Sequence, residues 1–239
     1  MAKRSALPAG ADTGTASRTL IERAYAQLRD DIMSSQLPPD AKLRVEHLKA
    51  RYGVGAGTLR EAITRLVSDA LVIAEGQRGF RVAPIAAADM MDLTRLRVHI
   101  EIDALRQSMR SGGSAWREQL HAAYAELSQL EQPLRPDRAK SWEERNTAFH
   151  EALLAGHESP WTLRLLGTLT RQSERYRRFA INLPASHRDV HAEHREIYES
   201  AIAGNELRAA LALEAHIRLT AELVTRALQA TPVDASSVV

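Results

Sequence analysis

Beyond residue 88 the chain is a series of stretches with helical apolar spacing. None shows the alternation of a strand, and nearly every one is closed by a short run of Gly, Pro or Asn. "SGGS" closes the first, "QPLRP" the second, "NLPAS" the fourth and Gly204-Asn205 the fifth. Gly enters left-handed backbone freely and Pro removes a helical N–H, so these runs end helices. Helices are predicted over 88–111, 114–132, 140–156, 159–181, 186–203 and 206–229. Connections this short make consecutive helices antiparallel neighbours, each hiding one face against the rest. The dominance of Ala, Leu, Arg and Glu favours the same state, and aromatics are only 5%. An antiparallel six-helix bundle is the expectation.

The preceding part has a different rhythm. A first helix is predicted from about Ser17 or Thr19 to Ser34, with Leu20, Ala24, Leu28 and Ile32 at helical spacing. The two prolines of "SSQLPPDAKLR" end it. Val45–Tyr52 reads as a short second helix, and a tight Gly-containing turn leads to a third over Gly57–Ser68. In "ALVIAEGQRGFRVAPI" two apolar runs flank a polar, Gly-containing tip near Gln77, Arg78 and Gly79, the mark of a small β-hairpin. Helix, helix-turn-helix, hairpin is the order of a winged helix. The fold class is therefore mainly α: an N-terminal winged helix-turn-helix with a small β-hairpin wing, then the helical bundle. The predicted division is a flexible arm 1–16, a winged-helix domain 17–83, a linker 84–88 ("VAPIAAAD"), an all-helical domain 89–229 and a disordered tail 230–239.

The absence of Cys removes disulfides, thiol catalysis and thiolate metal sites. No apolar run approaches the roughly 18–20 residues that span a bilayer, and the N-terminus lacks the apolar core of a signal peptide. A cytoplasmic protein without a membrane partner is expected. Charge is divided unevenly, with 13 Lys+Arg against 9 Asp+Glu in residues 1–86 and 19 against 21 thereafter. A basic N-terminal part suits a polyanion.

In a helix-turn-helix the second helix enters the major groove while the first crosses the backbone. Arg60 stands in the first turn of the third helix, on a face shared with Thr64 and opposed to Leu59, Ile63 and Leu66. Thr58 and the free N–H groups of that helix suit a phosphate. Arg44 opens the preceding helix and would point at backbone or base. Gln77, Arg78 and Gly79 suit the minor groove or neighbouring phosphates. The alternative is plain packing, with Arg60 paired to a nearby carboxylate; Arg65 and Arg81 read as structural or solvated charges.

Eight of the nine histidines follow residue 86. "NTAFHEALLAGH" puts Asn146 and His150 one turn apart, "SHRDVHAEHREI" offers His187, His191 and His194, and "LEAHIRLT" adds His216. Three imidazoles from three helices could hold a metal with open positions, or each could be an ordinary core or surface side chain. Arg97 and Glu101 share a face: either an intrahelical ion pair, worth about 0.3–0.5 kcal/mol at a surface, or an arginine fork aimed at a ligand carboxylate.

The stretch "LPPDAKLRVEHLKARYGVGAGTLREAITRLVSDALVIAEGQRGFRV" resembles the winged helix of the GntR family. "TLREAI" is similar to that family's "VREAL" recognition helix and "QRGFRV" to its "RGxxV" wing. The helical half resembles the FCD effector domain of the FadR-like branch, and "LRVEHLKARYGVGAGTLREA" is similar to CsiR-type regulators. The likeness spans residues 17–229. Ala56 stands where the family often carries Arg, while Arg44 matches an Arg of the CsiR-like group, which implies a different operator with Arg44 as a base reader. The resemblance implies a divalent metal on His150, His194 and His216. Asn146 occupies the place of the usual Asp, and a neutral amide is a weak ligand. Zn²⁺ is the expected ion, with Ni²⁺ or Mn²⁺ as alternatives. It further implies an effector pocket with Arg97, and Arg171, Tyr176 and His191 are candidate contacts; His157 and His187 are assigned to the surface.

The expected function is a ligand-responsive transcriptional regulator, a repressor, without enzymatic activity. A homodimer would bind a palindromic double-stranded operator, with affinity changed by a small organic acid such as a short dicarboxylate of the glutarate or 2-hydroxyglutarate type. The competing readings are a metal-dependent enzyme acting on a small carboxylate, against which no H-E-x-x-H arrangement stands, and a purely structural dimerisation module.

Overall fold

Leu59, Ala62, Ile63 and Leu66 recur at helical spacing and are all fully buried. They make α3 (Ala56–Ser68) the centre of the N-terminal core in the computed structural model, which describes residues 13–132, 136–180 and 188–230. α1 (Thr13–Met33) crosses α3 and contributes Ala24, Leu28 and Ile32 to the same core. It begins before the expected Ser17. α2 (Val45–Tyr52) ends at Gly53, which has a φ of 62° and whose own N–H returns to the Lys49 carbonyl. A side chain is strained in that left-handed conformation, so the tight turn between α2 and α3 depends on glycine.

Three strands complete this part: β1 (Lys42–Leu43), β2 (Val72–Ala74) and β3 (Phe80–Val82), antiparallel in the order β1-β3-β2. The hairpin β2–β3 is the expected wing, with Val72 opposite Val82 and Ala74 opposite Phe80. β1 was not expected. Two residues are too few to carry a period, and only pairing of Lys42 with Arg81 and Leu43 with Phe80 defines it as a strand. The wing tip is a 3₁₀ turn over Gly76–Arg78, closed by Gly79 at φ 96°.

The chain divides into two compact units, Met1–Pro84 and Ile85–Val239. The second holds α4 (Ala87–Ser111), α5 (Gly113–Glu131), α6 (Ala139–Leu154), α7 (Pro160–Ala180), α8 (Val190–Ile202) and α9 (Glu206–Ala230). α4 lies antiparallel along α9, with Arg110 at the end of one paired to Glu206 at the start of the other. α5 packs on α6 and α8, and α7 on α4 and α9. Leu105, Leu120, Leu127, Phe149, Leu153, Ile197 and Leu213 fill the space between.

Two local differences from expectation have clear causes. α8 starts at Val190, not 186, because Asp189 caps it by accepting the Ala192 N–H at 2.9 Å. His157, expected at the surface, is buried in the α6–α7 connection, where its Nδ1 accepts the Ser159 N–H at 3.1 Å. The ring satisfies a loop donor that water would otherwise take. The expectations for residues 1–12, for His187 and for residues 231–239 lie outside the described residues.

Candidate functional site

The outer face of α3 is polar because its inner face is fully committed to the core. Arg60, Glu61, Thr64 and Arg65 are exposed. Gly55 precedes the helix without a side-chain cap, so its first-turn N–H groups are left for an external acceptor. Thr58 is half-buried in that turn. The Thr64 hydroxyl donates to the Arg60 carbonyl at 2.8 Å. Arg65 pairs with Glu61 at 3.3 Å, and Arg81 with Glu75 at 2.7 Å while also donating to the Asp40 carbonyl. Arg44, Arg60 and Arg78, all exposed, form no salt bridge among the described residues. Arg44 occupies the position before α2, and Gln77 and Arg78 belong to the 3₁₀ turn that Gly79 closes. Exposed arginines held in no salt bridge suit a polyanion.

In the helical unit the structure brings together His150 of α6, His194 of α8 and His216 of α9. One ring nitrogen from each lies within 4.8 Å of the others, and all three rings are buried. Ring centroids are 4.7 to 5.7 Å apart. Nδ1 of His150 and Nε2 of His194 make no hydrogen bond among the described residues. Buried polar atoms are normally partnered, so two orphaned lone pairs at one point call for an electrophile.

The opposite ring edges are held by carboxylates. Glu131 accepts from His194 Nδ1 at 2.7 Å, from His191 Nδ1 at 3.2 Å and from Trp142 Nε1 at 3.0 Å. Glu193 accepts from His216 Nδ1 at 2.8 Å and pairs with Arg188, which also donates to the His216 carbonyl. With each Nδ1–H donated to a carboxylate, the Nε2 atoms of His194 and His216 carry the lone pairs, the tautomer a metal needs.

Burial, more than the neighbouring histidines and arginines, holds His150 and His216 well below the ordinary imidazole range, so both are neutral at pH 7. Burial alone would raise the Glu131 carboxyl, but the hydrogen bonds from His194, Trp142 and His191 take it below its ordinary value. Neutral His150 and His216, with carboxylates behind His194 and His216, fit a divalent ion. Asn146 is buried one turn before His150 on the same helix.

The other expected contacts divide. Arg97 is buried, with Nε on Glu101 at 2.6 Å and Nη1 on Ser173 of α7 at 2.6 Å. The pair with Glu101 is thus real but internal, not the surface pair of the simpler reading. Arg177 shares Ser173 and pairs with Glu143, so the Arg97–Ser173 hydrogen bond ties α4 to α7 and the Arg177–Glu143 ion pair ties α7 to α6. His191 joins the centre only through Glu131. Tyr176 lies elsewhere: its hydroxyl donates to Asp89 at 2.6 Å and its ring packs on Met90, Ala221 and Val224. Arg171 donates to Thr168 at 3.2 Å. Glu131, Glu143, Arg177, Arg188 and Glu193 were not singled out from the sequence. Their partners are 4 to 63 residues away, and isolated charges on amphipathic helices give no spacing signal.

Comparison with known proteins agrees with both halves. Residues 20–82 match the bacterial regulatory proteins of the gntR family, and residues 92–219 match the FCD domain. The HTH-type transcriptional regulator BphR of Paraburkholderia xenovorans (strain LB400) is 40% identical over 212 residues, 87% of this chain and 86% of that one. The HTH-type transcriptional repressor GlaR of Escherichia coli (strain K12) is 29% identical over 209 residues, covering 85% and 95%. The crystal structure of a GntR transcriptional regulator from Rhodococcus sp. RHA1 superposes with a TM-score of 0.69 at 21% identity, covering 90% of this chain and all of that one, which supports the fold. These relatives are regulators and not enzymes. The chain therefore belongs to the GntR family, in its FadR-like branch with an FCD domain, and is a DNA-binding transcriptional regulator.

Proposed function

We propose that this chain is a repressor that acts as a homodimer in the cytoplasm, binds a palindromic operator and changes its operator affinity when a small organic acid reaches a metal held by three histidines. The observation that carries the reading is the buried meeting point of His150, His194 and His216, with orphaned nitrogens inside and carboxylates behind. Zn²⁺ suits a three-imidazole set with an open position, and it would supply a Lewis-acid contact for a carboxylate oxygen. Arg97 lies in the same interior, where a short dicarboxylate would have to compete with Glu101 for its guanidinium. Asn146 stands beside the ligands as a neutral group, so the site's charge balance rests on Glu131 and Glu193.

On the DNA side, Arg60 is assigned to a base edge in the major groove and Arg44 to a second base or the backbone. Thr58, Thr64 and the uncapped start of α3 take phosphates, and the wing-tip residues Gln77, Arg78 and Gly79 the adjacent minor groove or backbone. Two-fold symmetry of the dimer would be mirrored in the operator. The name of the Escherichia coli relative, a repressor, supports the sign. Regulation requires different effector affinity in the DNA-competent and incompetent states, typically about 1–3 kcal/mol of coupling. A gel shift with DNA from the protein's own upstream region, with and without short dicarboxylates and after chelation, tests the whole reading. Specific binding released by one acid in the zinc-loaded protein alone is expected; binding insensitive to every acid would refute it.

A further inference from the structure

Glu101 lies in the middle of α4 with only 2% of its surface exposed. Its Oε1 accepts from Arg97, but Oε2, equally buried, has no hydrogen-bond partner among the described residues. With His150 it lines a cavity of about 540 Å³ whose walls are mostly small or apolar, among them Ala123, Ala152, Gly167 and Thr170. An ordinary structural ion pair would use both oxygens or leave one to solvent. Here one is buried at the wall of a partly open cavity that His150 also lines, where an unmet acceptor is costly.

A plain carboxylic acid cannot satisfy that atom, because an ionised carboxylate offers acceptors only. Among the described residues the guanidinium groups nearest to the cavity are already engaged: Arg97 by Glu101 and Ser173, Arg177 by Glu143 and Ser173, and Arg171 by Thr168. The missing component is a hydrogen-bond donor. We infer that Glu101 is a specificity-determining contact whose Oε2 accepts a hydrogen bond from a hydroxyl or ammonium group on the effector. The cavity then takes an acid carrying a donor on its chain in preference to the unsubstituted acid of equal length. This rests on the proposed metal-and-acid reading, with His150 belonging both to the histidine set and to the wall of this cavity.

The test is calorimetric titration of the zinc-loaded protein with two matched trios: succinate, malate and aspartate, then glutarate, 2-hydroxyglutarate and glutamate. Within at least one trio the hydroxy or amino acid binds about tenfold or more tightly than the plain acid, as expected for one buried hydrogen bond to a charged group. Which of the two wins identifies the donor. Glu101→Gln places an amide where Oε2 stood. A hydroxyl can reverse its role there and keep part of its advantage, whereas an ammonium group has no acceptor and loses all of it. Zinc content, measured in parallel, stays at the wild-type level. Equal affinity within both trios overturns the Glu101 contact while leaving acid binding intact. Undiminished preference in Glu101→Gln overturns it as well. If none of the six acids binds, the metal-and-acid reading itself fails and the contact with it. The wild-type comparison stands whether or not the variant folds.

Discussion

Glu131→Gln isolates what a carboxylate behind a ligand histidine contributes. The side chain is 2% exposed and accepts three hydrogen bonds, from His194, His191 and Trp142. Glutamine keeps the shape and one carbonyl acceptor, removes the negative charge and turns the other oxygen into a donor facing an N–H. His194 then loses part of the push on its ring and part of the restraint on its tautomer. Outer-shell partners of this kind typically change metal affinity by about 10–100-fold, or roughly 1.4–2.8 kcal/mol at 1.4 kcal/mol per tenfold. Competition with a fluorescent zinc chelator at pH 7 measures it directly. Operator affinity without effector should be unchanged, because Glu131 belongs to the helical unit. A zinc affinity within twofold of wild type would refute the claim that this carboxylate tunes the centre.

Three further expectations are independent of that one. Arg60→Ala should weaken specific operator binding by about 1–3 kcal/mol and relax preference at one base pair; an unchanged binding isotherm would remove its base-reading role. His194→Ala should abolish stoichiometric zinc and effector response while sparing operator binding, so retained metal by elemental analysis would count against the three-histidine set. In the metal-free protein, His150 and His216 have folded-state pKa values below the ordinary 6.5. Below 6.5 the unfolded chain therefore takes up protons that the folded chain refuses, and stability falls as pH drops, by up to about 1.4 kcal/mol per pH unit per histidine. Thermal melts at pH 7.5, 6.5 and 5.5 should show a declining midpoint, and a flat profile would show that these rings are not held neutral.

Much of this molecule was set locally. Gly53, Gly112 and Gly204 stand just past the ends of α2, α4 and α8 because backbone restrictions act within a few residues, and the spacing of Leu59, Ile63 and Leu66 fixed which side of α3 faces inward. The polar side that remained, with Arg60 and Thr64, followed without further information. Three histidines on three helical segments were visible as candidates for the same reason. Their convergence was not: α6, α8 and α9 meet only through the packing of Phe149, Leu153, Ile197 and Leu213, contacts between residues far apart in the chain. Tertiary structure also decided the partners. It placed Glu131 and Glu193 behind the rings, buried Arg97 with Glu101 and Ser173, and took Tyr176 away to Asp89. It made a strand of Lys42–Leu43 by offering it β3. Periodicity reports which face of an element is apolar; which faces meet, and which charges are then buried together, is decided when the helices pack.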